Sequence, residues 1–175
     1  MADDKKSVAG TIIVITGASS GFGRGAAIEL AKRGTCVMLP ARREAALEAL
    51  AAEINAAGGQ ALPVAADVSN AQDVARLADS ARQRFGHIDT WINNVGVGAL
   101  GYFWDIPQED HARLIDLNLK GLIYGAHQAL RLFIAQGYGT LINLGSVDSK
   151  LPLAFQSSYA ASKAAVLSLG RRSRR

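Results

Sequence analysis

Cysteine is almost missing from this sequence, with one residue, Cys36, among 175. A single thiol closes no internal disulfide, and its apolar neighbours favour a buried structural thiol over a reactive one. Long apolar runs are missing too. No segment approaches the roughly 18 apolar residues needed to cross a bilayer, and the opening "MADDKKSVAG" has no apolar leader core, so a soluble, cytoplasmic protein without a membrane partner is expected. A basic surface is lacking once charge is located. The excess of 19 basic over 15 acidic residues equals the four arginines within 171–175, which leaves a neutral body. Nucleic-acid binders spread a basic stripe over the folded surface, so no nucleic-acid partner is expected. The three histidines, His87, His111 and His127, show no metal-ligand clustering, and no metal is expected.

What is present fits one domain. With 49% hydrophobic and 19% charged residues, the chain is long enough to bury a substantial core. Apolar segments at about 11–15, 35–40, 61–66, 88–92 and 140–144 read as strands, and stretches at about 24–33, 43–57, 71–85 and 108–136, with one more from Ser157, read as helices. Strands alternating with helices predict an α/β fold, a doubly wound parallel sheet with right-handed crossovers. "TIIVI" is apolar at successive positions, as in a strand covered on both faces. Three polar or glycine-rich stretches follow strands directly: "TGASSGFG", "NNVG" and "GS". They meet on the rim formed by the strand C-termini, where such sheets bind ligands.

In "TGASSGFG", Gly17, Gly21 and Gly23 separate a buried strand from a helix. Missing side chains let the backbone approach a pyrophosphate, and the helix start offers unpaired N–H groups and a positive dipole end. The alternative is an ordinary glycine-rich turn. Near the other end, "YAASK" sets Tyr159 four residues before Lys163 and therefore on one helical face. Alone, that pair carries little weight, since tyrosines and lysines commonly share a solvated helix face.

Taken together and in order, "TGASSGFG" at 16–23, "DV" at 67–68, "NNVG" at 93–96, Asn118 in "DLNLKG", Ser146 in "LGS" and "YAASK" at 159–163 resemble the short-chain dehydrogenase/reductase family. The resemblance runs from about residue 8 to 170. It implies a Rossmann-type fold, a nicotinamide cofactor, and hydride transfer between that cofactor and a small-molecule alcohol or carbonyl substrate. It places cofactor contacts on Gly17, Ser19, Ser20, Gly21, Phe22, Gly23, Asp67, Val68, Asn94 and Gly96, and also on Tyr159 and Lys163. Asn93 is expected to steady the loop over the cofactor. Val95 stands where the family usually has alanine, which adds bulk beside the cofactor. A turn or helix-capping role for Asp67 stays open beside its cofactor contact.

Cofactor choice turns on "CVMLPARRE" after the second strand. Family members that prefer NAD tend to carry an acid where this chain has Ala41. Arg42 and Arg43 follow and suit a 2′-phosphate, so NADP is expected. The alternative leaves both arginines as solvated charge.

Proton delivery to a developing alkoxide is the remaining chemical need. A free tyrosine, with a pKa near 10, exchanges protons poorly at neutral pH, and an ammonium four residues on stabilises its phenolate. Tyr159 is thus the expected general acid/base, with Lys163 beside it and Ser146 holding the substrate oxygen. By resemblance, Lys163 also holds the nicotinamide ribose, and Asn118 supports a proton-relaying water. Ser146 retains an alternative as a turn serine, and Asn118 as a polar residue at a helix irregularity. Tyr102, Phe103, Trp104 and Phe155 either wall an apolar pocket or pack their loops.

Family members ordinarily continue past the Tyr/Lys helix. The sequence therefore predicts a single domain over 1–175, truncated after that helix and incomplete at the C-terminal edge of its sheet, where "TLINLG" becomes an exposed strand. The helix at 108–136 and the Tyr159 helix resemble the pair through which the family dimerises, so a homo-oligomer is expected if the fold is complete. A non-catalytic nucleotide-binding or interaction protein is the alternative function.

Overall fold

The computed structural model describes residues 7–151 and 153–172; the side chains of the terminal arginine cluster lie outside it. In chain order the elements are β1 (Ile12–Ile15), α1 (Gly21–Lys32), β2 (Cys36–Ala41), α2 (Glu44–Ala56), β3 (Gln60–Ala65) and α3 (Ala71–Phe85). Then come β4 (Thr90–Asn93), α4 (Gln108–Ile115), a π-helical segment (Asp116–Lys120), α5 (Gly121–Gln136), β5 (Thr140–Asn143), a 3-10 turn (Val147–Ser149) and α6 (Ser157–Arg172). The five strands form one sheet in the order β3-β2-β1-β4-β5, with every pairing parallel. The chain moves outward from β1 through β2 to β3, then crosses back to β4 on the other side of β1. Strand order therefore reverses between β1 and β4, and a crevice opens at their C-terminal ends.

The period of two along the strands builds two cores. Ile13 and Ile15 of β1, with Val37 and Leu39 of β2, pack against Ala27 and Ala31 of α1 and Leu47, Leu50 and Ile54 of α2. Val14, Met38 and Trp91 point the other way, against Val74 and Leu77 of α3 and Ala129 and Phe133 of α5. All four residues of β1 are buried, as expected of a central strand covered on both faces. Cys36 is buried at the start of β2, and burial pushes its thiol pKa up against the opposing pull of the Arg84 charge, as suits a structural thiol.

Local signals explain the element ends, with two departures from the sequence reading. The Asn70 carboxamide oxygen caps α3 by accepting from the N–H groups of Gln72 and Asp73. The first helix begins at Gly21, inside the glycine loop, three residues before the expected start near Arg24. The expected helix over 108–136 follows one path, but the π-helical segment at 116–120 interrupts it. No described helix is long and apolar enough to cross a membrane.

Candidate active site

The glycine loop is held against the loop after β4 by one side chain. Asn94 Nδ2 donates to the carbonyls of Thr16 (3.0 Å) and Gly17 (3.2 Å), and its backbone N–H donates to Thr16 Oγ1 at 3.0 Å. Asn93 points to the other face of β4. Its Oδ1 accepts from Trp91 Nε1 at 2.8 Å, and its Nδ2 donates to Asn143 Oδ1 at 2.9 Å. The loop-steadying role expected of Asn93 thus belongs to Asn94, because strand alternation turns Asn93 into the core.

Geometry requires glycine at positions 17 and 23 of the loop. Gly17 has φ +69°, a left-handed conformation that a side chain makes costly. A Cβ on Gly23 would lie 2.4 Å from Asn94 Nδ2 and 2.6 Å from the Gly17 carbonyl oxygen, so only glycine lets α1 approach β1 this closely. Ser20, the N-cap of α1, makes no side-chain capping bond. The first N–H groups of that helix are thereby left for an anion.

A cleft of about 850 Å³ opens at the strand-order reversal. Of the residues named from the sequence, it brings together Gly17, Ser19, Ser20, Gly21, Phe22, Arg42, Arg43, Asp67, Val68, Asn94, Gly96, Ser146, Tyr159 and Lys163. Gly23 lies beneath the loop, and Asn118 is fully buried behind the cleft wall. At one end Arg42 and Arg43 are exposed, and Arg43 Nη2 donates to Ser19 Oγ at 3.1 Å. Asp67 lies two residues beyond the end of β3. Its Oδ1 accepts from the Ser69 N–H (2.9 Å) and hydroxyl (2.7 Å), so it shapes the turn while lining the cleft.

At the opposite end stand the groups suited to acid–base chemistry. Ser146 caps the 3-10 turn: its Oγ accepts from the Asp148 N–H at 3.2 Å, and its own N–H donates to Ser149 Oγ at 3.2 Å. The turn role is therefore real, and it leaves the Ser146 hydroxyl proton free to donate into the cleft. Tyr159 sits in the first turn of α6. Lys163, only 3% exposed, donates from Nζ to the Leu144 carbonyl at 2.9 Å and lies 5.8 Å from the Tyr159 ring centroid. Desolvation by burial lowers the Lys163 pKa. Gly96 keeps room for this amine, since a Cβ there would come within 3.4 Å of Nζ. Asn118 occupies the π-helical segment, where its Oδ1 accepts from the Val97 N–H and its Nδ2 donates to the Val97 carbonyl, both at 2.8 Å. A further bond at 3.2 Å runs from Nδ2 to Ser162 Oγ on α6.

The short chain dehydrogenase family profile matches residues 11–175. The chain belongs to this family. It is 40% identical over 162 residues to the uncharacterized oxidoreductase YxnA of Bacillus subtilis, covering 92% of this chain and 46% of that protein. To 11-beta-hydroxysteroid dehydrogenase A of Arachis hypogaea it is 38% identical over 166 residues, covering 94% and 47%. The chain thus spans about half the length of these curated relatives. Among solved structures, a short chain dehydrogenase/reductase from Burkholderia phymatum in complex with NAD superposes with a TM-score of 0.90 at 36% identity, covering 94% of this chain and 59% of that one. A metagenomic short-chain oxidoreductase in complex with NADP gives 0.87 at 35%, covering 93% and 74%. Five parallel strands flanked by helices are therefore the Rossmann-type sheet of the short chain dehydrogenases, shorter here than in those relatives.

Other features of this short chain dehydrogenase lay outside the family motifs. Asp148 and Gln156 line the cleft together with Ser146 and Tyr159. Their one signal in the sequence was position, two residues after Ser146 and three before Tyr159. Tyr102, Phe103, Trp104 and Phe155 do not line the cleft. Tyr102 stacks on Trp104 (5.2 Å) and meets the Phe155 edge (5.1 Å), while Phe103 stacks on His111 of α4 (4.6 Å), so the packing alternative describes them. Phe155 adopts φ +65°, held by a bond from the Gly101 N–H to its carbonyl at 3.0 Å.

Proposed function

We propose that this chain carries the cofactor half and catalytic groups of an NADP-dependent oxidoreductase that interconverts an alcohol and a carbonyl compound. The observation that carries this reading is the meeting of Ser146, Tyr159 and Lys163 with the glycine loop in one cleft. The cradle fits a dinucleotide: uncapped N–H groups at the α1 start suit its phosphates, and the exposed guanidinium groups of Arg42 and Arg43 suit a 2′-phosphate, with Ala41 supplying no repelling charge. NAD- and NADP-bound relatives both occur, so the arginines, not the family, support NADP.

When bound, the nicotinamide supplies or accepts the hydride. The chain's own groups manage the proton and the oxygen. Ser146, its Oγ already accepting from the Asp148 N–H, donates its hydroxyl proton to the substrate oxygen. Tyr159 delivers a proton to that oxygen as it becomes an alcohol, or removes it in the reverse direction. Lys163, anchored on the Leu144 carbonyl, puts an amine beside the Tyr159 ring and would hold the nicotinamide ribose. Asn118 acts as a positioning residue, joining the loop at Val97 to α6 at Ser162. A homo-oligomer agrees with the exposed Ile123 and Ile134 of α5.

The test follows NADPH oxidation by the purified chain with a panel of aldehydes and ketones. Tyr159→Phe is expected to lower turnover by about a hundredfold or more while NADPH still binds. Activity retained in that variant removes tyrosine from the mechanism, and NADPH binding without any wild-type turnover favours the non-catalytic nucleotide-binding alternative. Arg42→Ala is expected to weaken NADP⁺ about tenfold and to spare NAD⁺; equal affinities before and after would remove the NADP assignment.

A further inference from the structure

The catalytic end of the cleft holds a buried carboxyl that neither the cofactor contacts nor the acid–base chemistry uses. Asp148 is only 5% exposed, yet it lines the cleft with Ser146, Gln156 and Tyr159. The 3-10 turn fixes it there, its N–H held by Ser146 Oγ at 3.2 Å. One carboxyl oxygen, Oδ1, accepts from the Leu153 N–H at 3.2 Å and so staples the loop that leads to α6. The other, Oδ2, has no hydrogen-bond partner among the described residues. A carboxylate oxygen only accepts hydrogen bonds, so Oδ2 offers an open acceptor to a donor that enters the cleft. Half-buried Gln156 lines the same end, and its side-chain amide also lacks a partner among the described residues.

We infer that Asp148 is a specificity-determining residue that accepts a hydrogen bond from a hydroxyl carried by the substrate beside its reacting carbon. The substrate class is then a hydroxy-carbonyl compound or diol, in preference to an unsubstituted ketone or alcohol. The inference rests on the hydride-transfer reading above, which makes Ser146 and Tyr159 the groups that hold the reacting oxygen. A neutral donor fits better than an ammonium, because the Lys163 amine lines the same end and, when protonated, repels a second cation. The staple to Leu153 accounts for one oxygen only; the substrate hydroxyl accounts for the other.

The deciding comparison is acetoin against butanone, which lacks the neighbouring hydroxyl. Each is presented to the full chain with NADPH for turnover, and with and without NADP⁺ for equilibrium binding by saturation-transfer NMR. The wild type is expected to favour acetoin at least tenfold in kcat/KM and in binding. Asp148→Asn, which keeps an acceptor for the Leu153 N–H, is expected to collapse that ratio toward one through loss on acetoin; Asp148→Ser serves if the asparagine variant does not fold. A wild-type ratio near one, or a variant that weakens both ligands alike, overturns the subsite. Acetoin-selective binding that depends on Asp148, without turnover, keeps the subsite and sinks the hydride-transfer reading for this chain. Turnover with equal ratios does the reverse.

Discussion

Lys163 shows most directly how one residue's placement sets a measurable property. It is the one lysine described as buried, drawn under the rim so that Nζ reaches the Leu144 carbonyl beside Tyr159. Burial lowers its pKa from the ordinary 10.5. Between the lowered folded value and 10.5 the unfolded chain binds more protons than the folded one, so this residue's contribution to stability rises with pH across that window. Below the folded pKa both states hold the proton, and the full cost of burying the charge remains. Lys163→Met removes the titration. Denaturant unfolding at neutral and alkaline pH should show the wild type gaining on the variant as pH rises, and a gap that is flat or shrinks contradicts the assigned cause. Gly23 offers a second test at this scale. With backbone oxygen 2.6 Å from an added Cβ, Gly23→Ala must push α1 away from the loop, a strain of about 1–3 kcal/mol. Unfolding and NADP⁺ titration should both register it, and an unchanged cofactor affinity would separate the loop's packing from its proposed use.

Elements, more than residues, decided what was legible in the sequence. The strands were readable because apolar runs bounded by glycine have few alternatives, and the rim was readable because parallel crossovers send every strand C-terminus to one side. The helix over 108–136 was visible as a pattern, but its π-helical interruption was not, because that depends on a partner 21 residues earlier in the chain: the Val97 backbone, which pairs with both ends of the Asn118 amide. Asn93 and Asn94 could not be told apart until the end of β4 fixed which faces the core. Asp148 carried no motif, and its meaning depends on burial. These contacts predict that Asn118→Ala detaches the post-β4 loop from the π-helical segment. The half-buried Val97 groups lose both partners, for a cost of about 1–3 kcal/mol, and the Val97 amide should exchange with solvent at least tenfold faster relative to the core of β1. Unchanged protection at Val97 would mean that the loop is held by something other than this clasp.

At the scale of the whole molecule, the sheet has two edges that are treated differently. On β3, Pro63 interrupts the row of donors, a common way of blunting an edge. No proline protects β5, the other edge, where Ile142 is 40% exposed. The helices explain the asymmetry. On one face α1 and α2 pack against β1 and β2, and α3 and α5 take the opposite face, so the α1-side surface of β4 and β5 has no helix among the described residues. A hollow of about 600 Å³ results, lined by Ile15, Phe22, Ala26, Ile92, Ile142 and Leu144, with Phe22 89% exposed at its rim. Unpaired strand groups beside an apolar hollow are a template for edge-to-edge association. The isolated chain is therefore expected to self-associate as its concentration rises. Ile142→Lys places a charge on that edge without touching the cofactor cleft, which Ile142 does not line. The onset of light scattering should move to several-fold higher concentration while NADPH binding per folded chain is retained. Scattering identical to the wild type would mean that association, if it occurs, uses another surface, such as the exposed Ile123 and Ile134 of α5, and Ile134→Lys would then be the variant that suppresses it.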